Sequence, residues 1–370
     1  MRTRRKPTAT RIRKKTSVRA IRSDRQRLRY GKRPRTTTNS KRQPLPSSAA
    51  FPASRWYLEG VRDGERWRQS RQTDSIPTEE ARSAAFQAWS GKYDEGLVPK
   101  GIEWKKLLGY GQKYAAGFLS GFADVKPILP VPLRTTAAAV VCATAPLLGL
   151  DRVIRELDAL PIRQIIVVIY GVPIQELPMK TDNPRVLCLI WPEVTDPDVG
   201  RALGAKLADA DTLLFADAEK PVAAGALARF LWECDGRADI ALNDLSMRTI
   251  GFHRRGGIQR LQEFLNAGLN RPDLKSNSLS ALPYALSRKA LNTIGAATLC
   301  VPAKAHAVAI MSKLRIVTGG AAGSSAQPSD DRIVAGDHAE AWHTAIEMRG
   351  SRLGRPDHRR NRTILEHSDR

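Results

Sequence analysis

The clearest chemical signal in the chain is an acidic pair that follows a short apolar run. Residues 211–219 read Asp-Thr-Leu-Leu-Phe-Ala-Asp-Ala-Glu, which predicts a short buried strand ending in Asp217 and Glu219. In an open α/β sheet, ligands bind beyond the carboxyl ends of the strands. Two carboxylates at such an end suit a hard divalent cation held against a diphosphate, because both groups offer oxygen ligands. Acidic pairs also occur in ordinary turns, so the surrounding elements decide what this pair means.

The positive charge of the chain is concentrated at its start. Of a formal net charge of +23 over 370 residues, residues 1–50 contribute +17, from eighteen lysines and arginines and one acid, Asp24. Such a segment buries too little apolar surface to offset its ordering entropy, so we expect residues 1–50 to be a disordered basic tail. It is either an electrostatic tether to a polyanion or an anionic membrane surface, or a solvated tail that keeps the protein soluble. The rest of the chain carries only +6, so the high pI does not indicate a nucleic-acid-binding core.

The cysteines and the hydropathy pattern predict a soluble, cytoplasmic protein. Cys142, Cys188, Cys234 and Cys300 stand alone without a Cys-x-x-Cys pair, which favours a reduced compartment. The basic start is not followed by the apolar stretch of a signal peptide. The longest apolar run, residues 137–150, is shorter than the roughly 20 residues of a membrane-spanning helix, so no transmembrane segment is expected.

The chain beyond the tail divides into a helical part and an alternating part. Residues 51–132 repeat an aromatic residue followed by glycines, as in Tyr57-x-x-Gly60 and Tyr114-x-x-Gly117, a spacing that lets helices approach closely. Repeated prolines at residues 127–132 end this helical extension. Residues 133–348 alternate strand-like and helix-like runs, and residues 349–370 form a second basic tail. Strands separated by helices predict an α/β, Rossmann-like domain, with a mostly parallel sheet and helices on both faces.

The individual elements are predicted from short apolar runs and from apolar residues at helical spacing. The expected strands are residues 136–143, 164–170, 185–190, 212–216, 238–243 and 315–318. The expected helices are residues 147–160, 199–210, 222–234, 258–269, 285–294, 303–314 and 339–347. A small, polar stretch at residues 319–331 predicts a flexible loop.

The order of these segments resembles that of family 2 glycosyltransferases with the GT-A fold, in particular a bacterial branch with a glycine- and aromatic-rich N-terminal extension. The resemblance spans about residues 135–345, and Leu214-Phe-Ala-Asp-Ala-Glu219 occupies the position of the family's Asp-X-Asp metal motif. Other segments that carry it are Val140–Ala143, Val153–Leu157, Pro161–Val168, Gly200–Ala205, Ala241–Leu245, Asn270–Asp273, Asn277–Ser280, Leu286–Leu291 and Gly336–Ala341.

The resemblance implies metal-dependent, inverting transfer of a sugar from a nucleotide-diphospho-sugar donor to an unknown acceptor. It implies Mg²⁺ or Mn²⁺ at Asp217 and Glu219. The place where the superfamily commonly has its general base, residues 301–304, offers no carboxylate in this chain. Our first candidate for the base is therefore Asp337 and our second is Asp244. The residues that it assigns to donor binding are Ala143, Gly171, Arg201 and Asp217.

Three of these residues also have a structural interpretation. Asp244 would only cap the segment after its strand, Asp337 would be the N-cap of the helix at residues 339–347, and Arg201 would lie on the exposed basic side of its helix.

The nucleotide pocket differs from the family pattern at two turns. Where the family has Asn-Glu after the first strand, this chain has Ala145-Pro146, and the turn after the second strand ends in Ile174 instead of an acid. A site loses discrimination when its hydrogen-bonding groups become apolar. The alternative function is therefore a catalytically inactive GT-A domain that acts as a binding or scaffold module, anchored by its basic tail.

Overall fold

The computed structural model of the chain describes residues 52–71, 76–123, 125–144, 147, 149–171, 183–191, 193, 196–246, 251–323 and 331–353. The predicted basic tail at residues 1–50 lies outside these residues, as do the turn positions Ala145, Pro146 and Ile174 and most of the second tail. The described residues belong to one compact unit.

Seven strands form a mixed sheet in this part of the chain. They are β1 (Ala137–Thr144), β2 (Gln164–Tyr170), β3 (Val186–Trp191), β4 (Thr212–Asp217), β5 (Ile240–Asn243), β6 (Tyr284–Ser287) and β7 (Ile316–Gly320). Their order in the sheet is β3-β2-β1-β4-β6-β5-β7. Only β6 runs against its neighbours, since it pairs antiparallel with β4 and β5 whereas the other pairs are parallel. The carboxyl ends of the six other strands therefore meet at one edge of the sheet.

Ten α-helices accompany the sheet in the described residues. They are α1 (Pro52–Gln69), α2 (Thr78–Asp94), α3 (Trp104–Phe118), α4 (Leu150–Asp158), α5 (Pro197–Leu207), α6 (Ala224–Cys234), α7 (Gly257–Gly268), α8 (Arg288–Ile294), α9 (Pro302–Met311) and α10 (Asp331–Arg349). In the part of the chain that the structure describes, no helix combines the length and the apolar character needed to cross a membrane.

Alternating strand residues build a core on each face of the sheet. Val140 and Phe215 pack into a cluster that includes side chains of α5, α7, α8, α9 and α10. Their neighbours in sequence, Val141 and Leu214, pack on the other face with α4 and α6. The predicted α/β fold, a mostly parallel sheet with helices on both faces, is confirmed.

One predicted element is wrong. Residues 285–294 were expected to form a single helix, but the structure has the strand β6 at Tyr284–Ser287 followed by the short helix α8. Leu213 and Leu214 of β4 pair with this strand, which places it in the middle of the sheet. The Ser287 hydroxyl then accepts a hydrogen bond from the backbone N–H of Ala290 at 3.1 Å and starts the helix.

The predicted close approach of helices through the glycine repeat is confirmed. A Cβ atom on Gly60 of α1 would lie 2.0 Å from the carbonyl oxygen of Tyr114 in α3, and one on Gly117 would lie 2.1 Å from that of Tyr57. Side chains cannot occupy these positions, so the two backbones touch where the repeat has glycine. Of the two tyrosines that precede these glycines, Tyr114 is fully buried in the adjoining core beside Trp89, whereas Tyr57 is exposed.

Candidate active site

Asp217 lies at the carboxyl end of β4, as predicted, and its carboxylate is almost fully buried. The residue is 6% exposed and pairs in register with Cys142 of β1. Its Oδ1 accepts a hydrogen bond from the backbone N–H of Glu219 at 2.9 Å. Its Oδ2 is buried and has no hydrogen-bond partner among the described residues. A buried carboxylate oxygen without a partner is costly, so this atom is a natural position for a cation.

The alternation of β4 places Asp217 on the face of the sheet against which α5 packs. Leu213 and Phe215, four and two residues earlier, pack on that face, and the Phe215 ring stacks on Tyr284 of β6 at 4.7 Å between centroids. Because strand side chains alternate, Asp217 lies on the same face. Its negative charge contributes to the raised pKa of the neighbouring Cys142 thiol, after the larger effect of burial.

A network of charged side chains lies at the amino end of α5, on this face of the sheet. The Asp196 side chain caps the helix by accepting the backbone N–H of Asp198 at 2.8 Å. Arg201, 3% exposed, forms an ion pair with Asp198 at 2.8 Å and a hydrogen bond with Tyr284. Burial raises the pKa of Asp198 to about 6, although the positive charge of Arg201 opposes that rise.

This network changes the role of Arg201. The sequence suggested a side chain facing donor phosphates or solvent, but the guanidinium is buried beneath the surface and already paired. A buried charge requires such a partner, since desolvation without one costs several kcal/mol. Arg201 therefore holds Asp198 and Tyr284 in place and does not lie on the surface of its helix.

Asp337 lies inside α10, and not before a helix. The helix begins at Asp331, so the interpretation of Asp337 as an N-cap for residues 339–347 is wrong. Burial, reinforced by the negative charges of Asp196 and Glu340, raises the pKa of Asp337 to about 6. Asp337 also contributes to the raised pKa of Asp198, which places the two carboxyl groups near each other. A partly buried carboxyl group with such a pKa, on the same face as Asp217, has the properties of a general base.

Asp244 follows β5 at the same edge, but its contacts are those of a structural residue. In the sheet order, β6 separates β5 from β4, so Asp244 is two strands away from Asp217. Its Oδ1 accepts the backbone N–H of Ser246 at 2.9 Å and the side-chain amide of Asn277 at 3.4 Å. Burial alone would raise its pKa, but these hydrogen bonds outweigh burial and lower it. The geometry favours a loop-ordering role.

The remaining predicted residues lie close to the same edge. Glu219 is exposed just beyond Asp217. Ala143 is buried in β1 and faces α4 and α6, on the side of the sheet away from Asp217. Gly171 follows β2 with φ of 70°, and its N–H donates to the carbonyl oxygens of Trp191 at 3.0 Å and Glu193 at 3.1 Å. This backbone conformation explains why glycine is needed there.

The turn that carries the acidic pair is packed against the start of α4. A Cβ atom on Gly149 would lie 2.6 Å from the carbonyl oxygen of Ala218 and 3.0 Å from that of Glu219. The position of the acidic pair is therefore set by backbone contact with the β1–α4 connection. In the described part of the chain there is no group of three His, Cys, Asp or Glu side chains arranged for a metal ion. A site of two carboxylates that is completed by substrate phosphates matches the usual coordination of Mg²⁺.

Sequence reasoning missed Asp196, Asp198 and Tyr284. The sequence does contain a signal for the first two. Asp-Pro-Asp at residues 196–198 precedes an apolar-periodic run, which is typical of a helix start. Asp198 also lies three residues before Arg201, a spacing at which two side chains on one helix face can form an ion pair. Tyr284 had no local signal, since its role depends on the pairing of β6 with β4.

Comparisons with known proteins place this chain near several transferases. No family model and no curated protein matches the sequence. Glucosyl-3-phosphoglycerate synthase from Mycobacterium tuberculosis, solved with Mn²⁺, uridine diphosphate and phosphoglyceric acid, is 16% identical, with 61% of this chain and 81% of that chain covered and a TM-score of 0.38. A mannosyltransferase from Pyrobaculum calidifontis, solved with GDP-Man and Mn²⁺, is 15% identical. The match covers 73% of this chain and 75% of that chain, with a TM-score of 0.38. Mannosyl-3-phosphoglycerate synthase from Rubrobacter xylanophilus is 12% identical. The match covers 62% of this chain and 80% of that chain, with a TM-score of 0.39.

These structural neighbours are glycosyltransferases.

Proposed function

We propose that this protein transfers a glycosyl group from a nucleotide-diphospho-sugar to an acceptor at the carboxyl edge of its sheet. The observation that carries the proposal is the buried Oδ2 of Asp217, at the end of a central strand, which has no hydrogen-bond partner in the part of the chain that the structure describes. Its position in an ordered series of segments similar to those of family 2 glycosyltransferases supports the same conclusion.

Asp217 and Glu219 would hold a divalent cation, Mg²⁺ or Mn²⁺. The Oδ2 of Asp217, which has no hydrogen-bond partner among the described residues, fits this role, and the exposed Glu219 can approach from the solvent side. When bound, the cation would neutralise the charge that develops on the departing nucleoside diphosphate.

Asp337 would remove the proton from the acceptor hydroxyl. In an inverting displacement the acceptor oxygen forms its bond to the anomeric carbon while the bond to the diphosphate breaks, and the hydroxyl proton passes to a carboxylate. With a pKa of about 6, Asp337 is ionised at neutral pH, yet it is more basic than an ordinary aspartate. The lowered pKa of Asp244 makes it a weaker base for this step.

Donor binding would involve Ala143 and Gly171 through the backbone at the ends of β1 and β2. Gly171 adds no side chain to the edge, so a ligand can approach the chain closely there. Arg201 would act on this site indirectly, through the positions of Asp198 and Tyr284.

A second candidate function is a non-catalytic binding module. The observation that favours it is the apolar sequence Ala145-Pro146, together with Ile174, where the resemblance leads one to expect polar nucleotide contacts. Such a module would bind a nucleotide without turning it over.

Release of nucleoside diphosphate from a panel of nucleotide-sugars tests the proposal. With the full chain, Mn²⁺ and water as acceptor, we expect release from at least one donor. Asp337→Asn should lower the rate constant by about 10²–10⁴-fold while the donor still binds. Asp209→Asn, an exposed aspartate at the amino end of β4, is the matched control and should not change the rate. Donor binding without release would favour the binding module, and absence of binding would rule out both functions.

The basic segment at residues 1–50 is proposed to tether the protein to a polyanion or an anionic surface. Deleting it should remove heparin binding and its steep salt dependence, because each neutralised charge releases counterions. Heparin binding that survives the deletion would contradict the tether.

A further inference from the structure

A groove of about 730 Å³ lies at the amino edge of the sheet, opposite the edge that carries Asp217. Helix α2 forms one wall, and the segments that lead into β1, β2 and β3 form the other. Its floor is apolar, made by the buried residues Phe86, Val131 and Ile162. Both the volume and this mixture of apolar and polar lining are typical of small-molecule sites.

Two arginines from distant parts of the chain form a charged wall of the groove. The Nη1 atom of Arg82, on α2, lies 3.2 Å from the Oδ2 atom of Asp158 at the end of α4. Arg185, just before β3, binds the other oxygen of Asp158 and donates to the carbonyl oxygen of Ile162 at 2.9 Å. Burial alone would raise the pKa of Asp158, but the two arginines outweigh burial and lower it. One buried carboxylate thus holds two guanidinium groups side by side.

Both guanidinium groups keep an unused donor. The Nε atoms of Arg82 and Arg185 are buried and lack a hydrogen-bond partner among the described residues, and the Arg82 side chain is only 3% exposed. The carboxylate of Glu79 lies 3.5 Å from the first Nε and 3.3 Å from the second, at ion-pair distance without hydrogen-bond geometry. Glu79 is itself 41% exposed at the groove. It therefore occupies the position of an anion for which the two buried donors are suited.

The rest of the lining is also positive. The groove is lined by four arginines and two acids. Arg134 is paired with Asp94 at 3.0 Å. Arg163, on the turn before β2, is exposed and forms no ion pair within the described part of the chain. An anion beside Arg82 and Arg185 would therefore meet a further, available cation.

We infer that this groove binds a small organic anion, with a phosphate or carboxylate group against the three arginines Arg82, Arg163 and Arg185 and an apolar or planar body on the floor. The anion displaces the exposed side chain of Glu79 from the two Nε donors. Because Arg82 is on α2 and the other two arginines directly precede β2 and β3, the ligand bridges the helical extension and the α/β part of the chain.

Titration calorimetry of the full chain with phenyl phosphate, benzoate and inorganic phosphate tests the inference. The protein and buffer are first freed of divalent cations on a chelating resin, so that metal-dependent binding at the opposite edge does not contribute and no dissolved chelator competes for the groove. We expect phenyl phosphate or benzoate to bind more tightly than inorganic phosphate, because the ring contacts the apolar floor, and the tighter of the two identifies the anionic group.

The variants separate this groove from the basic tail. Glu79→Gln removes the competing carboxylate and should tighten binding by about two- to fivefold, whereas Arg163→Ala should weaken it by about the same factor. Arg152→Ala, an exposed arginine on α4 outside the groove, is the matched control and should leave binding unchanged. The inference is overturned if no saturable binding occurs at millimolar ligand, if inorganic phosphate binds as tightly as the aromatic anions, or if Glu79→Gln and Arg163→Ala behave like the control.

Discussion

At the scale of single residues, two carboxyl groups with different surroundings define the candidate site. Asp217 is nearly fully buried, and one of its oxygens lacks a hydrogen-bond partner among the residues that the structure describes, whereas Asp337 is partly buried and lies close to other acids. The sequence predicts the place of Asp217, because an apolar run followed by an acid is a local pattern. It does not predict the surroundings of Asp337, which include the negative charge of Asp196 at the start of α5, more than a hundred residues earlier in the chain.

The raised pKa of Asp337 predicts a specific pH dependence of stability. The value of about 6 in the folded protein lies above the roughly 3.9 of an unfolded chain, so the folded state binds more protons between these pH values. Its contribution to stability is full below about pH 4 and is lost as the pH rises through about 6. Asp337→Asn should therefore raise the melting temperature at pH 7.5 by about 2 °C and leave it unchanged near pH 4.

The matched control for this measurement is Asp209→Asn, which removes an exposed carboxyl group. We expect its melting temperature to follow that of the unmodified protein at both pH values. If Asp337→Asn is less stable than the unmodified protein at pH 7.5, the carboxylate is stabilised in the fold and its assignment as a base of raised pKa is wrong.

At the scale of elements, the apolar runs predicted most of the sheet. The strand expected at residues 164–170 is observed with those bounds, and the strand expected at 212–216 extends one residue further to Asp217. The four-residue strand β6 could not be found in this way. Its apolar residues continue into α8 at helical spacing, and its pairing with β4 depends on residues some seventy positions away.

The packing of the acidic turn on α4 predicts an effect of a substitution that removes no ligand. Gly149→Ala would place a Cβ atom 2.6 Å from a backbone carbonyl of the turn, so the turn or the helix must move. We expect a loss of about 1–3 kcal/mol in the free energy of unfolding, as for other overpacked positions, together with weaker metal-dependent nucleotide binding.

Gly109→Ala provides the control, since a Cβ atom on this glycine of α3 would meet no atom within 4 Å. That variant should be as stable as the unmodified protein or more so, because alanine favours the helix by about 0.5–1 kcal/mol. Equal nucleotide binding by Gly149→Ala and Gly109→Ala would show that the turn does not depend on its contact with α4.

At the scale of the whole molecule, the helical extension and the α/β part share buried contacts. The rings of Tyr93 and Trp104 pack on Trp232 of α6 at 5.1 and 5.9 Å between centroids. Arg82 binds Asp158 across 76 positions of sequence. The proline-rich boundary at residues 127–132 is a local pattern that the sequence shows. The long-range contacts between the extension and the α/β part cannot be predicted from the sequence in this way, because no local pattern at one residue indicates its distant partner.

These contacts predict that the α/β part depends on the extension. A fragment of residues 133–370 would lose Arg82 and leave Asp158 and Arg185 without a full set of partners, which costs about 3–5 kcal/mol for a buried ion pair. We expect it to melt roughly 10 °C below a fragment of residues 51–370, or to be insoluble. Removal of residues 1–50 alone should not change the melting temperature. Equal melting temperatures of the 133–370 and 51–370 fragments would show instead that residues 133–348 are an independent domain.

Metal-dependent thermal stabilisation is the measurement that decides whether Asp217 holds a divalent cation against a nucleoside diphosphate. The full chain is heated with Mn²⁺ and a panel of nucleoside diphosphates, beside Asp217→Asn and the control Asp209→Asn. A ligand at about 100 times its Kd stabilises the folded state by about 2.7 kcal/mol, which raises the melting temperature by several degrees. We expect this Mn²⁺-dependent rise for at least one nucleotide in the unmodified protein and the control, and its loss in Asp217→Asn. A rise that persists in Asp217→Asn, or no rise with any nucleotide at millimolar concentration, would contradict this role of Asp217.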